Sequence, residues 1–249
     1  MKARARLVAA PGGRLTVLHG EPPLLPRRTG PATVHLVGGA AGPLGGDDLR
    51  LEIEVEAGAE LTVRSVAAQI ALPGRPGTPP SRLEVHARVG PGATLRWLPE
   101  PLIAAAGCDH RAITHVEVAA GGRLLWRDDL AFGRHGEPSG SLRTRALFRY
   151  AGRTVYRHDL AVGPDAPGWA APAVLDQAHA FGTLLALPGA AELPPPGAEA
   201  ATMPLAGPGV VVTALGADIR AVRAALDPIR LAGTDGVTFR AGPAELARR

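Results

Sequence analysis

Among the side chains able to do chemistry, one dense stretch stands out, CDHRAITH, which places Cys108, His110 and His115 within eight positions and adds the carboxylate of Asp109. Thiol and imidazole groups suit nickel or zinc. With Asp109 or Glu100 as the acid, they would make a metal-assisted hydrolase on a β scaffold. The spacing matches no closed metal site, and no second ligand pair stands nearby in sequence. A loop cysteine followed by two strand histidines is the simpler reading.

The other candidates are thinner. Ser65, Ser81, Ser139 and Ser141 lie in no G-x-S-x-G elbow. Asp128 and Asp129 are neighbours near the end of an alternating run, where adjacent side chains point to opposite faces, so a shared proton or metal is not expected. His35 beside a glycine hinge and His135 in a polar loop read as surface histidines. Gly45-Gly46-Asp47-Asp48 looks like part of a calcium-binding glycine-aspartate repeat, but such sites need stacked copies and this run occurs once. Neither a helix nor a Lys-Ser/Thr pair follows it, as a phosphate loop would require. The glycines then serve a tight turn at positive φ, with Asp47 hydrogen-bonding the turn's backbone before a strand begins.

The elements that must carry these residues are strands. Leu49, Leu51, Ile53 and Val55 fall on every second position, against Arg50, Glu52, Glu54 and Glu56 on the other face. Five units repeat the pattern of alternating run, glycine turn and alternating run: RARLVAAPGGRLTVLH, LRLEIEVEAGAELTVRS, SRLEVHARVGPGATLRWL, ITHVEVAAGGRLLWRDD and RALFRYAGRTVYRHD. From Gly58 on, the turns recur at about 30 residues. Apolar positions on both sides of a turn share parity, as Val116 and Val118 do with Leu124 and Trp126. That predicts hairpins with odd-length loops and one apolar face. The expectation is a mainly β fold of laterally stacked β-hairpins forming an elongated sheet structure, with a short C-terminal helical element. One domain, 1–249, is expected, with a Pro/Gly-rich excursion over 188–208 that includes ELPPPGAEA. The helix is predicted in DIRAVRAALDPIR, with Asp218 as cap, Ile219, Val222 and Leu226 as apolar stripe and Pro228 near its end.

Composition narrows the function classes. The 27 basic and 23 acidic residues leave a formal +4, and the pI near 10.1 reflects arginine, Lys2 being the only lysine. The arginines are scattered among strands and aromatics are 4% of the chain, which argues against nucleic-acid binding and weakens a carbohydrate-binding module. The single Cys108 forbids an intrachain disulfide framework and fits a reducing compartment, so a cytoplasmic location is expected. No apolar run approaches a membrane helix, and the N-terminal apolar run breaks at Pro11-Gly12-Gly13, too early for a secretory signal.

Four stretches in order, GGAAGPLGGDDLRLEIEVEAGAELTV, LRWLPEPLI, FGRHGEPSGSLRTR and AFGTLLAL, resemble the urease accessory protein D family, also called H. Gly45, Gly46, Asp47, Pro99, Glu100, Gly133, Arg134, Gly136, Glu137, Phe181 and Gly182 match its motif positions. The resemblance implies an all-β scaffold without turnover of its own, with no catalytic residues and no tightly bound cofactor, nickel being touched transiently at most. It also implies accessory protein F as a partner, the GTPase accessory protein G through F, and apo-urease as the recipient of nickel, the D component bridging F to urease and providing an internal nickel route. Where many members carry a threonine-lysine-aromatic segment, this chain has RSVAAQIALPGR, so roles resting on that lysine or aromatic do not carry over.

Overall fold

The computed structural model describes residues 1–191 and 199–232. Strand β1 (Lys2–Ala10) turns through Pro11–Gly13 into antiparallel β2 (Arg14–Gly20), and β3 (Leu24–Gly30) pairs antiparallel with β4 (Thr33–Gly38). From there the chain winds between two sheets. It passes from β5 (Asp48–Val55) in the first to β6 (Glu60–Ser65) in the second, and through the short β7 (Gln69–Ala71) back to β8 (Ser81–Val89) in the first. β9 (Thr94–Leu98) returns to the second, the short β10 (Leu102–Ala104) follows, β11 (Asp109–Val118) lies in the first, β12 (Arg123–Phe132) in the second and β13 (Ser141–Tyr150) in the first. β14 (Arg153–Val162) doubles back on β13, while β15 (Ala180–Leu187), β16 (Ala200–Pro204) and β17 (Val210–Gly216) widen the second sheet before helix α1 (Ile219–Leu226).

The first sheet runs β14-β13-β11-β8-β5-β1-β2 and the second β16-β17-β15-β12-β9-β6-β4-β3. The mainly β, stacked class with one short C-terminal helix therefore stands. Its middle units are built differently from hairpins. The first and fifth units are true antiparallel pairs, β1 with β2 and β13 with β14. In the second, third and fourth units the two runs part company, one joining each sheet, so that β5, β8, β11 and β13 are mutually parallel, as are β4, β6, β9 and β12. Each glycine turn is an arch from sheet to sheet. The arches stack through backbone bonds such as Gly90 N–H to Val55 O at 2.8 Å and Ala119 N–H to Val89 O at 2.9 Å, and the β13–β14 hairpin turn joins the stack through Ala151 N–H to Val118 O at 2.8 Å. Parity is the same in a hairpin and an arch, because both must turn their apolar sets to one core.

That core lies between the sheets, where Leu49, Leu51, Ile53 and Val55 of β5 meet Leu61 and Val63 of β6, Leu95 of β9 and Leu124 of β12, all at most 2% exposed. Each such burial stabilises the fold by about 1.5–3 kcal/mol. A second core covers the outer face of the second sheet, where Val222 and Leu226 of α1 pack on Leu125, Leu184 and Val212. α1 starts where expected. Asp218 is extended at its N-cap, and its carboxylate accepts the N–H groups of Arg220 and Ala221 at 2.9 and 3.0 Å. Within 188–208, residues 192–198, most of the ELPPPGAEA stretch, lie outside the described residues. Ala200–Pro204 is a strand paired antiparallel with β17 rather than part of an excursion. No helix among the described residues is long and apolar enough to cross a membrane.

Candidate functional site: a carboxylate between two indoles

The cysteine and histidine cluster does not converge. Cys108 is buried, with its thiol directed at Ser141 O at 3.7 Å, and burial pushes its pKa up to about 11. His110 is fully buried; its Nδ1 is 2.8 Å from Ser81 Oγ, and burial lowers its pKa to about 4. His115 lies on the opposite face of β11, exposed and stacked on His86 at 5.0 Å. Among the described residues no three His, Cys, Asp or Glu side chains are arranged to hold a metal ion.

The family-motif residues fall into two kinds. Several build turns. Gly46 has φ 89°, and a Cβ on Gly45 would come within 2.6 Å of Gly74 N, so only glycine lets these two backbones touch. Asp47, 4% exposed, accepts the Leu44 N–H at 2.9 Å and lies 2.6 Å from the Met1 amino nitrogen. In the loop after β12, Glu137 accepts the backbone N–H groups of Arg134 and Ala106 and a two-pronged contact from the Arg134 guanidinium. That guanidinium holds its pKa down to about 2. Gly133 and Gly136 of the same loop both have positive φ.

Pro99, Glu100, Phe181 and Gly182 are different, because they gather around β12. A cavity of about 460 Å³ opens between the sheets, lined by Leu51, Val85, Thr114, Trp97, Pro99 and Glu100 among others, with Asp128 bordering it. Asp128 also borders a smaller cavity of about 40 Å³, lined by Tyr156, His158, Phe181 and Thr183. The carboxylate is gripped by indole donors: Trp126 Nε1 gives to Oδ2 at 2.7 Å and Trp97 Nε1 to Oδ1 at 3.3 Å. The two indoles stack at 4.8 Å and 15°, and Phe148 meets Trp126 edge-on at 5.7 Å. Asp128 is thus deep inside the molecule, yet half-buried because it faces the larger cavity. Removal from bulk water pushes its pKa up to about 6, against the opposing pull of the two indole hydrogen bonds. Around the smaller cavity burial lowers the pKa of His158, and burial together with the Asp128 charge pushes Tyr156 up to about 12. The Thr183 hydroxyl is buried there with no hydrogen-bond partner.

Asp129 points the other way, toward α1, as adjacent strand residues must. Arg127 grips it through Nε at 2.9 Å and Nη2 at 2.8 Å and reaches Asp227 at 2.5 Å, while Arg223 of α1 spans from Glu100 at 2.5 Å toward Asp129 at 3.8 Å. Burial raises the pKa of Asp129, and the Arg127 charge opposes it. Gly182 leaves room for this junction, since a Cβ there would lie 2.4 Å from Val222 Cγ1 and 3.0 Å from Asp129 Oδ1. Glu100 and Gly182 therefore belong to one ionic junction that pins the helix to the second sheet, and Phe181 closes the small cavity beside Asp128.

The indole-held carboxylate is absent from the motif positions that the sequence singled out. The signal is present all the same: Trp126 and Asp128 share a strand face two positions apart, and Trp97 is paired in register with Trp126 from the preceding coil.

The UreD urease accessory protein family model matches residues 2–245. The urease accessory protein UreD 3 of Streptomyces griseus is 49% identical over 91% of this chain and 95% of its own. The urease accessory protein UreD of a Parafrankia strain is 45% identical over 92% and 88%, and that of Streptomyces coelicolor 44% over 91% and 94%. With an all-β body, a match along nearly its whole length and these relatives, the chain belongs to the UreD family of urease accessory proteins.

Proposed function

We propose that the chain serves urease maturation as a non-catalytic scaffold that bridges accessory protein F, and through it the GTPase G, to apo-urease and gives nickel a passage between its sheets. Nickel is cargo here, touched and released. The observation that carries this reading is the inter-sheet cavity with Asp128 on its wall, a carboxylate at the meeting point of two voids. One carboxylate oriented by two indoles offers a divalent cation an attractive stop without the convergent ligand set that would trap it. Glu100 at the edge of the same cavity, engaged by Arg223, is a second oxygen donor along the way. A buried lone thiol fits a cytoplasmic setting.

The test is delivery. In a strain lacking this gene, complementation with Asp128→Asn keeps the shape and an acceptor oxygen for Trp126 but removes the charge. The expected result at limiting nickel is assembled urease with several-fold less nickel per active site than the wild-type chain gives, recovering as nickel is raised. Full nickel loading by Asp128→Asn would remove the carboxylate from the route. A gene deletion that leaves urease fully loaded would remove the function.

A further inference from the structure

The outer face of the first sheet carries a charge arrangement that the fold itself does not need. Parallel, in-register pairing sets residues of successive strands side by side, about 4.8 Å apart. In one row this aligns Arg82 of β8, Arg111 of β11 and Arg143 of β13, three like charges on neighbouring strands. Directly opposed like charges destabilise a sheet. The next rows bring Arg145 and Arg157 beside them. Compensation is partial: Arg82 pairs with Glu84, while Arg143 and Arg145 share the single carboxylate of Asp159 at 2.8 and 3.0 Å. Among the described residues neither Arg111 nor Arg157, both exposed, holds a carboxylate in direct contact, the Asp109 carboxylate on the same face of β11 acting on Arg111 only at longer range. In the midst of these guanidinium groups lie Ile113 and Leu147, outward-facing and only half-buried.

An apolar centre ringed by arginine is the composition of a protein interface, where arginine supplies much of the binding energy and carboxylates of the partner relieve its mutual repulsion. A polyanion fits less well, because Glu84, Asp159 and, one row further, Glu117 interrupt the positive field. We infer that this face, centred on Ile113 and Leu147 and rimmed by Arg111, Arg143, Arg145 and Arg157, docks a carboxylate-rich protein surface within the urease-maturation assembly. The inference rests on the scaffold function proposed above and adds to it the face used and the chemistry of the partner's surface.

The experiment measures binding of the full chain to purified apo-urease and, separately, to accessory protein F, at low and at raised salt. The variants are Arg111→Glu and Arg111→Glu with Arg157→Glu, which leave the internal ion pairs intact. Arg220→Glu on the exposed side of α1 is the control with the same charge change. For one of the two partners, wild-type affinity should fall steeply with salt and the double variant should bind about 10- to 100-fold more weakly, while Arg220→Glu binds normally. Both residues are exposed, so thermal melts should be unchanged; should the double variant melt early, Arg111→Gln alone carries the comparison. Binding of the double variant that is unaltered for every partner the wild type binds overturns this face and leaves the scaffold function standing. The proposal also falls if the variant loses affinity only for heparin or DNA. A wild-type chain that binds neither protein overturns both readings.

Discussion

Asp128→Asn should change how stability depends on pH, in a direction fixed by the site. In the folded chain Asp128 holds its proton up to about pH 6, whereas its ordinary carboxylate value is 3.8. The native state therefore binds more protons than the unfolded state between these values. Stability associated with the neutral acid is fully present below about pH 4, declines as pH rises through the window, and is gone above about pH 6. At 1.36 kcal/mol per pH unit, the ionised form is less favourable by about 3 kcal/mol at neutral pH. Asparagine carries no charge and keeps one oxygen for the closer Trp126 N–H, while its amide nitrogen faces the longer Trp97 contact, a cost that does not vary with pH. Below pH 4 the difference between the two proteins should be constant; between pH 4 and 7 it should move in favour of Asp128→Asn by about 3 kcal/mol, or roughly 6–12 °C in Tm for a chain of this size. The neighbouring His158 and Tyr156 are present in both proteins, so their titration largely cancels in the comparison. Urea titrations at half-unit pH steps give the curves directly. Parallel curves from pH 4 to 8 would refute the reasoning, because they would mean that Asp128 is as well solvated folded as unfolded. The predicted result would show a carboxylate kept at a stability cost, as expected for a group retained for cargo.

Arg127→Met should destabilise the chain by about 3–5 kcal/mol in urea melts, because it strands Asp129, 3% exposed, without its main partner; adding Asp129→Leu should recover much of the loss. Cys108, 2% exposed with its pKa pushed up to about 11, should resist alkylation in the native protein at pH 8 and react readily once urea unfolds it. Native labelling as fast as that of the unfolded chain would place the thiol elsewhere.

Strands were legible in the sequence wherever one face meets the core, as in Leu49 to Val55. The choice between hairpin and arch was not, because parity constrains only which way side chains point. The recurrence of glycine turns at about 30 residues was the better guide, since coils that stack in parallel must repeat while hairpins need not. β12 hid a further layer. Its Leu125, Arg127 and Asp129 look like an outward face but lie under α1, so they are buried too, and no local pattern announces a helix that arrives some ninety residues later. The turn glycines and Asp47 could be read locally because their function is local. Asp128 could not, because what makes it unusual is Trp97, one coil back, and the two voids beside it.

The stacked arches also decide how variation in this chain should be read. Rows run across the strands, so a residue's nearest chemical neighbours are its counterparts one coil away: Leu49 beside Leu83, Ser81 beside His110, Asp109 beside Ser141. Compensating substitutions should therefore recur at separations of 34, 29 and 32 positions, column by column, rather than at the two-residue spacing that marks the strands themselves. A one-residue deletion within a strand would break its columns on both sides at once, while an insertion at the tip of an arch would add length to one coil and leave every column aligned.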